Sequence, residues 1–184
     1  MRLVAITTAF VLLLSGFAAA QSSPPFYINR DYRFAIIFPA PPAARDISYS
    51  AASGASFPAR QYLVEQNANQ HIVTIVDASS RPAVDVGLVD QAAAALRARG
   101  TVRFEAAEEY DPGVPGRQLN ILQSDGRLLR ASVYMWEHRL YITEAIGDPQ
   151  TTSLFQFEQS ITLLEADGKE VNTDADRFAA PPAR

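Results

Sequence analysis

The sequence predicts an α+β fold, an antiparallel sheet of about six or seven strands with two main helices packed on it. Three observations carry this reading. Apolar residues recur with period two through most of residues 101 to 146, one amphipathic helical stripe interrupts the strands near position 90, and a second stripe follows the last strand.

Taken in order, residues 21 to 29 read as a short polar lead-in to the first strand, Arg33 to Phe38. Pro39 and the Pro41-Pro42 pair stop that strand, because proline offers no ladder donor. The Ser/Ala/Gly stretch from Ser48 to Ser56 reads as a loop or a weak edge strand. Arg60 to Val64 and Ile72 to Ala78 are the next strands, joined through Asn67-Ala68-Asn69, where Asn tolerates positive φ. Asp85 is placed to cap a helix over Gly87 to Arg99, in which Val89, Ala92, Ala93 and Leu96 form one stripe. Arg97 and Arg99 suit the negative end of its dipole, and Gly100 terminates it.

Four strands then form an expected meander. Val102, Phe104 and Ala106 alternate with Thr101, Arg103 and Glu105, and Arg117 to Gln123 follows with Leu119 and Ile121 on one face. Ser124-Asp125-Gly126 is a tight-turn signal leading to Leu129 through Trp136. Glu137-His138 turns the chain again into Arg139 to Ile146. Asp148-Pro149 opens the second helix, with Leu154, Phe157 and Ile161 on its buried stripe. The domain, residues 21 to 165, closes near Leu164, and the aperiodic segment 166 to 184 reads as a disordered tail.

The early strand ending in proline (Phe34 to Pro39), the mid-chain helix, the meander and the closing Phe157-Glu158-Gln159-Ser160 together resemble the layout of the PsbP extrinsic subunits of photosystem II. The same layout is shared by a Ran-binding family of small eukaryotic proteins, and the resemblance spans roughly Tyr32 to Leu164. It implies a PsbP-like α/β/α sandwich and a binding role, and it transfers no functional residue, since fold does not imply function.

Residues 1 to 20 read as an export signal. Arg2 supplies the charged start, Leu3 to Leu14 an apolar core, and Ala18-Ala19-Ala20 a cut site before Gln21. That core falls short of the roughly 20 apolar residues that span a bilayer. No Cys follows to carry a lipid anchor, so the expected address is periplasmic or secreted, with no integral membrane segment in the mature chain. About 164 residues then remain, enough for one domain with a sizeable core. A net charge of -4 with Lys169 as the single lysine leaves no basic run for nucleic acid or anionic lipid. Absence of cysteine excludes disulfides, thiol catalysis and thiolate metal sites.

Candidate chemistry is sparse. His71, at the start of a strand, and His138, in a turn, lack a third ligand at metal spacing, so both read as structural or surface residues. The tail acids Asp167, Asp174 and Asp176 do not make a calcium loop. No nucleophile elbow occurs; Glu108, Glu109 and Asp111 straddle a strand end broken by Pro112-Gly113, and Gly113 and Gly116 belong to a Pro/Gly turn. No catalytic residue, metal or cofactor is implied.

One constellation points to binding. Tyr134 and Trp136 share a strand face, Tyr141 lies across the Glu137-His138 turn, and Arg130 and Arg139 border them. An exposed aromatic patch flanked by Arg suits a partner protein or a planar ligand; a helix covering that face would make the same side chains core. The reading is an exported, non-enzymatic binding or accessory module for a protein partner or small ligand. A second reading is a periplasmic carrier of an apolar molecule held between helix and sheet by Phe104, Leu119 and Phe157, and a third is a hydrolase with an unrecognised site.

Overall fold

Seven strands pair in one antiparallel sheet in the order β3-β4-β5-β9-β8-β7-β6, and three short ones in a second, β1-β2-β10. The computed structural model describes residues 26–81 and 85–173. Among these the order is β1 (Tyr27–Asn29), β2 (Phe34–Ile36), β3 (Ala43–Ser50), β4 (Ser56–Gln66), β5 (Asn69–Asp77), α1 (Asp85–Arg97), β6 (Thr101–Glu109), β7 (Pro115–Leu122), β8 (Leu128–Trp136), β9 (Arg139–Gly147), α2 (Thr152–Glu158) and β10 (Thr162–Leu163). The fold is mostly antiparallel sheet, ten strands with two helices, and so more strand-rich than the sequence reading. Residues 1–25 and 174–184, which carry the expected signal and most of the expected tail, lie outside the described residues, as does the side chain of Asp85.

Alternation sets the two faces of the large sheet. On one, Leu119, Ile121, Leu129, Ala131, Val133, Leu140 and Val76 meet Leu88, Val89, Ala92, Ala93 and Leu96 of α1 in a single buried cluster. The small Ala side chains let the helix lie close on the strands, as its composition indicates. On the other, Tyr62, Val73, Ile75, Tyr134, Tyr141 and Ala145 pack against Phe34, Ile36 and Phe38, with Leu154 and Phe157 of α2. No helix among the described residues is long and apolar enough to cross a membrane.

The meander is present in full, with β6 on β7, β7 on β8 and β8 on β9 in register. Both two-residue turns use left-handed backbone: Asn67 and Ala68 at φ 51° and 63°, Glu137 and His138 at φ 43° and 61°. Such pairs of positive φ match the strand twist. Gly100, three residues past the end of α1, is needed for a reason other than left-handed geometry. A Cβ there would meet the Leu122 carbonyl oxygen at 2.3 Å, so the chain passes too close to β7 for a side chain.

Several elements differ from expectation. The polar lead-in contains β1, drawn into strand pairing with β2 by Tyr27, whose ring packs against Phe34, Phe38 and Tyr62. The Ser48 to Ser56 stretch splits into the end of β3, which is the edge strand, and a turn at Ala51–Ala55. Asp148 caps a turn through Gln150 N at 2.8 Å, and α2 starts after Thr151 and ends before Ile161, which is buried in the following loop. Residues 166 to 173, assigned to a loose tail, are ordered against the domain. Glu165 and Lys169 close a turn, Leu164 bridges Glu170, and Val171 is buried. Thr173 reaches Asp111 through N and Oγ1, each at 3.1 Å. One apolar side chain and these side-chain bonds suffice to hold a segment with no periodicity of its own.

Candidate binding groove

The expected aromatic patch shares one face but is not a surface. Arg130, Tyr134, Trp136, Tyr141 and Arg139 all stand on the α2 side of the sheet, with Tyr134 opposite Tyr141 and Trp136 opposite Arg139. Tyr134 and Tyr141 are 5% and 1% exposed, sealed by the small sheet and α2. Tyr134 donates to Glu108 Oε2 at 3.0 Å and meets Tyr110 edge-on; burial, with the neighbouring Glu108 carboxylate, pushes its phenol far upward. Tyr141 is likewise raised by burial. Trp136 is half-buried against the same cluster, and Arg139 is half-buried opposite it. Of the covering elements, β2 falls within the expected first strand, whereas β1 and β10 are too short to show period in the sequence.

Arg130 turns inward. Its Nη2 lies 3.3 Å from Glu158 Oε2 and its guanidinium carbon 4.9 Å from the centre of the Phe155 ring. Glu158 is fully buried and also takes hydrogen bonds from Ser132 and, at 3.0 Å, from Gln118 and Gln159. The register explains the cluster, because Gln118 and Ser132 are opposite one another on β7 and β8, on the face that receives the end of α2. With all its partners internal, this carboxylate fastens α2 to the sheet. Of the acidic groups near 108 to 111, Glu108 and Asp111 are spent structurally, on Tyr134 and Thr173.

His71 takes the structural of its two expected roles, in the core and not at the surface. It lies within β5, 3% exposed, with its ring edge-on to Phe157 at 5.0 Å. Burial lowers its pKa, opposed by the Val64 carbonyl, so the imidazole is held neutral. His138 stays in the turn. No group of three His, Cys, Asp or Glu positioned for a metal ion occurs among the described residues.

What remains open is a groove the sequence did not point to. The segment from Ile37 to Pro42 leaves β2 and runs past α2, tied to the turn just after that helix where Ile37 N donates to Ser160 Oγ at 3.1 Å. Two hollows flank this segment and share Pro39. One, about 470 Å³, is lined by Phe26, Tyr27, Phe38, Pro39, Ala40, Pro41 and Pro42. The other, about 510 Å³, has Pro39, Phe157 and His71 on its walls, with Ser153, Gln156 and Gln159 of polar character. An aromatic chain joins them from beneath, Tyr27 to Phe38 at 5.7 Å, Phe38 to Phe157 at 5.2 Å, then His71. Phe26 stands on the rim, 55% exposed. The signal in the sequence was the Phe38-Pro39-Ala40-Pro41-Pro42 run, legible as a strand stop but not as a wall.

The cavity anticipated between helix and sheet from Phe104, Leu119 and Phe157 does not form. Leu119 is buried on the α1 side, Phe157 on the other, and Phe104 is exposed on edge strand β6. No protein-family model matches the chain, and no curated protein matches it.

Proposed function

We propose that this chain is an exported, non-enzymatic binding or accessory module that seats an apolar group, of a small ligand or of a protein partner, in the groove around Pro39. The observation carrying this reading is the pair of adjoining hollows with Phe26 exposed at the rim and Phe38 and Phe157 in the floor. Groups of several hundred Å³ lined by aromatic and apolar side chains with few polar positions are the usual form of ligand sites. The polar groups on the walls are amides and hydroxyls, and Ser160 Oγ is already committed between Ile37 N and the Phe157 carbonyl. His71 has no carboxylate partner among the described residues to make it a base, which favours binding over turnover.

The architecture that agrees best with two helices on opposite sheet faces is a PsbP-like α/β/α sandwich. Export rests on Arg2, the Leu3 to Leu14 run and Ala18-Ala19-Ala20. Titration with 8-anilinonaphthalene-1-sulfonate tests the groove. The dye fluoresces on binding, and Ala40→Arg, which fills one hollow, weakens that binding at least about tenfold with the melting transition unchanged. Absence of dye binding, or binding indifferent to Ala40→Arg, rejects the reading.

A further inference from the structure

The two free edges of the large sheet are not equivalent. On β3 the side chains turn inward to β4: Arg60 holds Asp46 at 2.7 Å, Arg45 holds Gln61, and the hydroxyls of Ser48 and Ser56 meet at 2.6 Å. On β6, Val102 and Phe104 are 39% and 45% exposed, the two large apolar exposures on any edge of this sheet among the described residues. Arg103 has no ion-pair partner among the described residues, and Glu109 accepts only a long bond from Gly113 N at 3.4 Å. Unpaired edges of this kind are templates for strand addition. The one guanidinium of β6, Arg103, stands near its start and the carboxylates Glu108 and Glu109 at its end, so an antiparallel copy of the strand brings opposite charges together.

We infer that β6 is a self-association edge, at which two copies pair antiparallel through residues 103 to 109 about a dyad at Ala106. Symmetry and charge select this register. A dyad normal to the sheet requires paired residues to lie on the same face, so it must pass through a residue. At Glu105 it opposes two carboxylates directly, and at Ala107 it sets Glu105 against Glu109, both destabilising. At Phe104 it puts the β6 bulge, between Val102 and Phe104, inside the ladder and directs Arg103 to Glu105, already held by Arg97 at 2.5 Å. At Ala106 the small side chains meet at the axis. Each Arg103, standing at the bulge and hence at the ladder's end, then faces Glu109 of the second copy, whose carboxylate holds only the long bond from Gly113 N.

One strand pair is a small contact, so association is weak, with a dissociation constant of tens to hundreds of micromolar on the order of transient interfaces. Sedimentation velocity of the purified protein from about 5 to about 500 µM brackets that range. The wild type passes from monomer to dimer. Arg103→Glu and Ala106→Lys, both on the exposed edge, each weaken dimerisation at least about tenfold, by placing like charges opposite one another. The double change Arg103→Glu with Glu109→Arg restores it to within about threefold of wild type, since the pair is re-formed with its signs exchanged. A wild type monomeric throughout, association untouched by Arg103→Glu, or a double variant as weak as the single one overturns the inference.

Discussion

Arg130 and Glu158 form the one ion pair between α2 and the sheet among the described residues, the guanidinium reaching the fully buried carboxylate at 3.3 Å while its face lies under Phe155. Removing one member of such a pair leaves a buried charge without its counter-charge, which costs about 3–5 kcal/mol. Arg130→Met is expected to lower the unfolding free energy by about that amount. Arg130→Met with Glu158→Leu recovers most of it, because an apolar pair replaces both charges. Urea unfolding of these proteins together with Glu158→Leu alone measures the coupling. A double variant no more stable than the single one would show that the hydrogen bonds from Ser132 and Gln118 matter more than the ion pair.

His71 makes stability depend on pH with a definite sign. Its folded pKa lies below the ordinary 6.5 because burial disfavours the imidazolium, so the unfolded chain binds the proton more readily. Its contribution is therefore complete above 6.5 and is lost as pH falls from there toward the folded value. Thermal melts between about pH 8 and pH 5 should show the midpoint falling on the acid side, and His71→Phe should flatten that portion of the curve.

Gly100 tests the close approach of α1 to β7. Gly100→Ala places a methyl 2.3 Å from a backbone oxygen that cannot rotate away. A loss of about 1–3 kcal/mol is expected, in the range of overpacked positions, read as a drop in the urea midpoint with unchanged slope.

The ordered stretch up to Thr173 should matter to the domain. Val171 is 2% exposed beside Leu163, and Tyr110 donates to Glu170 at 2.8 Å, so Val171→Asp buries an unpaired polar group. A loss of about 2–4 kcal/mol is expected, whereas a tail without contacts would give none.

Export has its own measurement. Protein recovered from the envelope of an expressing bacterium should begin at Gln21 by intact mass, the residue after Ala18-Ala19-Ala20. A chain retaining Arg2 and Leu3 at that address would argue for an uncleaved anchor.

Local pattern alone announced α1, both hairpin turns and the β6 to β9 meander, since each rests on contacts between near neighbours: the Val89-Ala92-Ala93-Leu96 stripe, the Asn67 and Glu137 turns, and the period of two from Leu129 to Trp136. The common face of Arg130, Tyr134, Trp136, Tyr141 and Arg139 was equally legible, because strand parity fixes it. Which side of that face meets water was not. It is decided by β1, β2 and β10, strands of two or three residues, of which β10 joins β2 across more than a hundred positions, as in the pairing of Leu163 with Phe34. Such pairings earn their free energy only when the large sheet already offers a surface to cover. Tertiary packing likewise buries His71 and Glu158, holds residues 166 to 173 against the domain, and leaves the groove at Pro39 open, so these features belong to the assembled molecule.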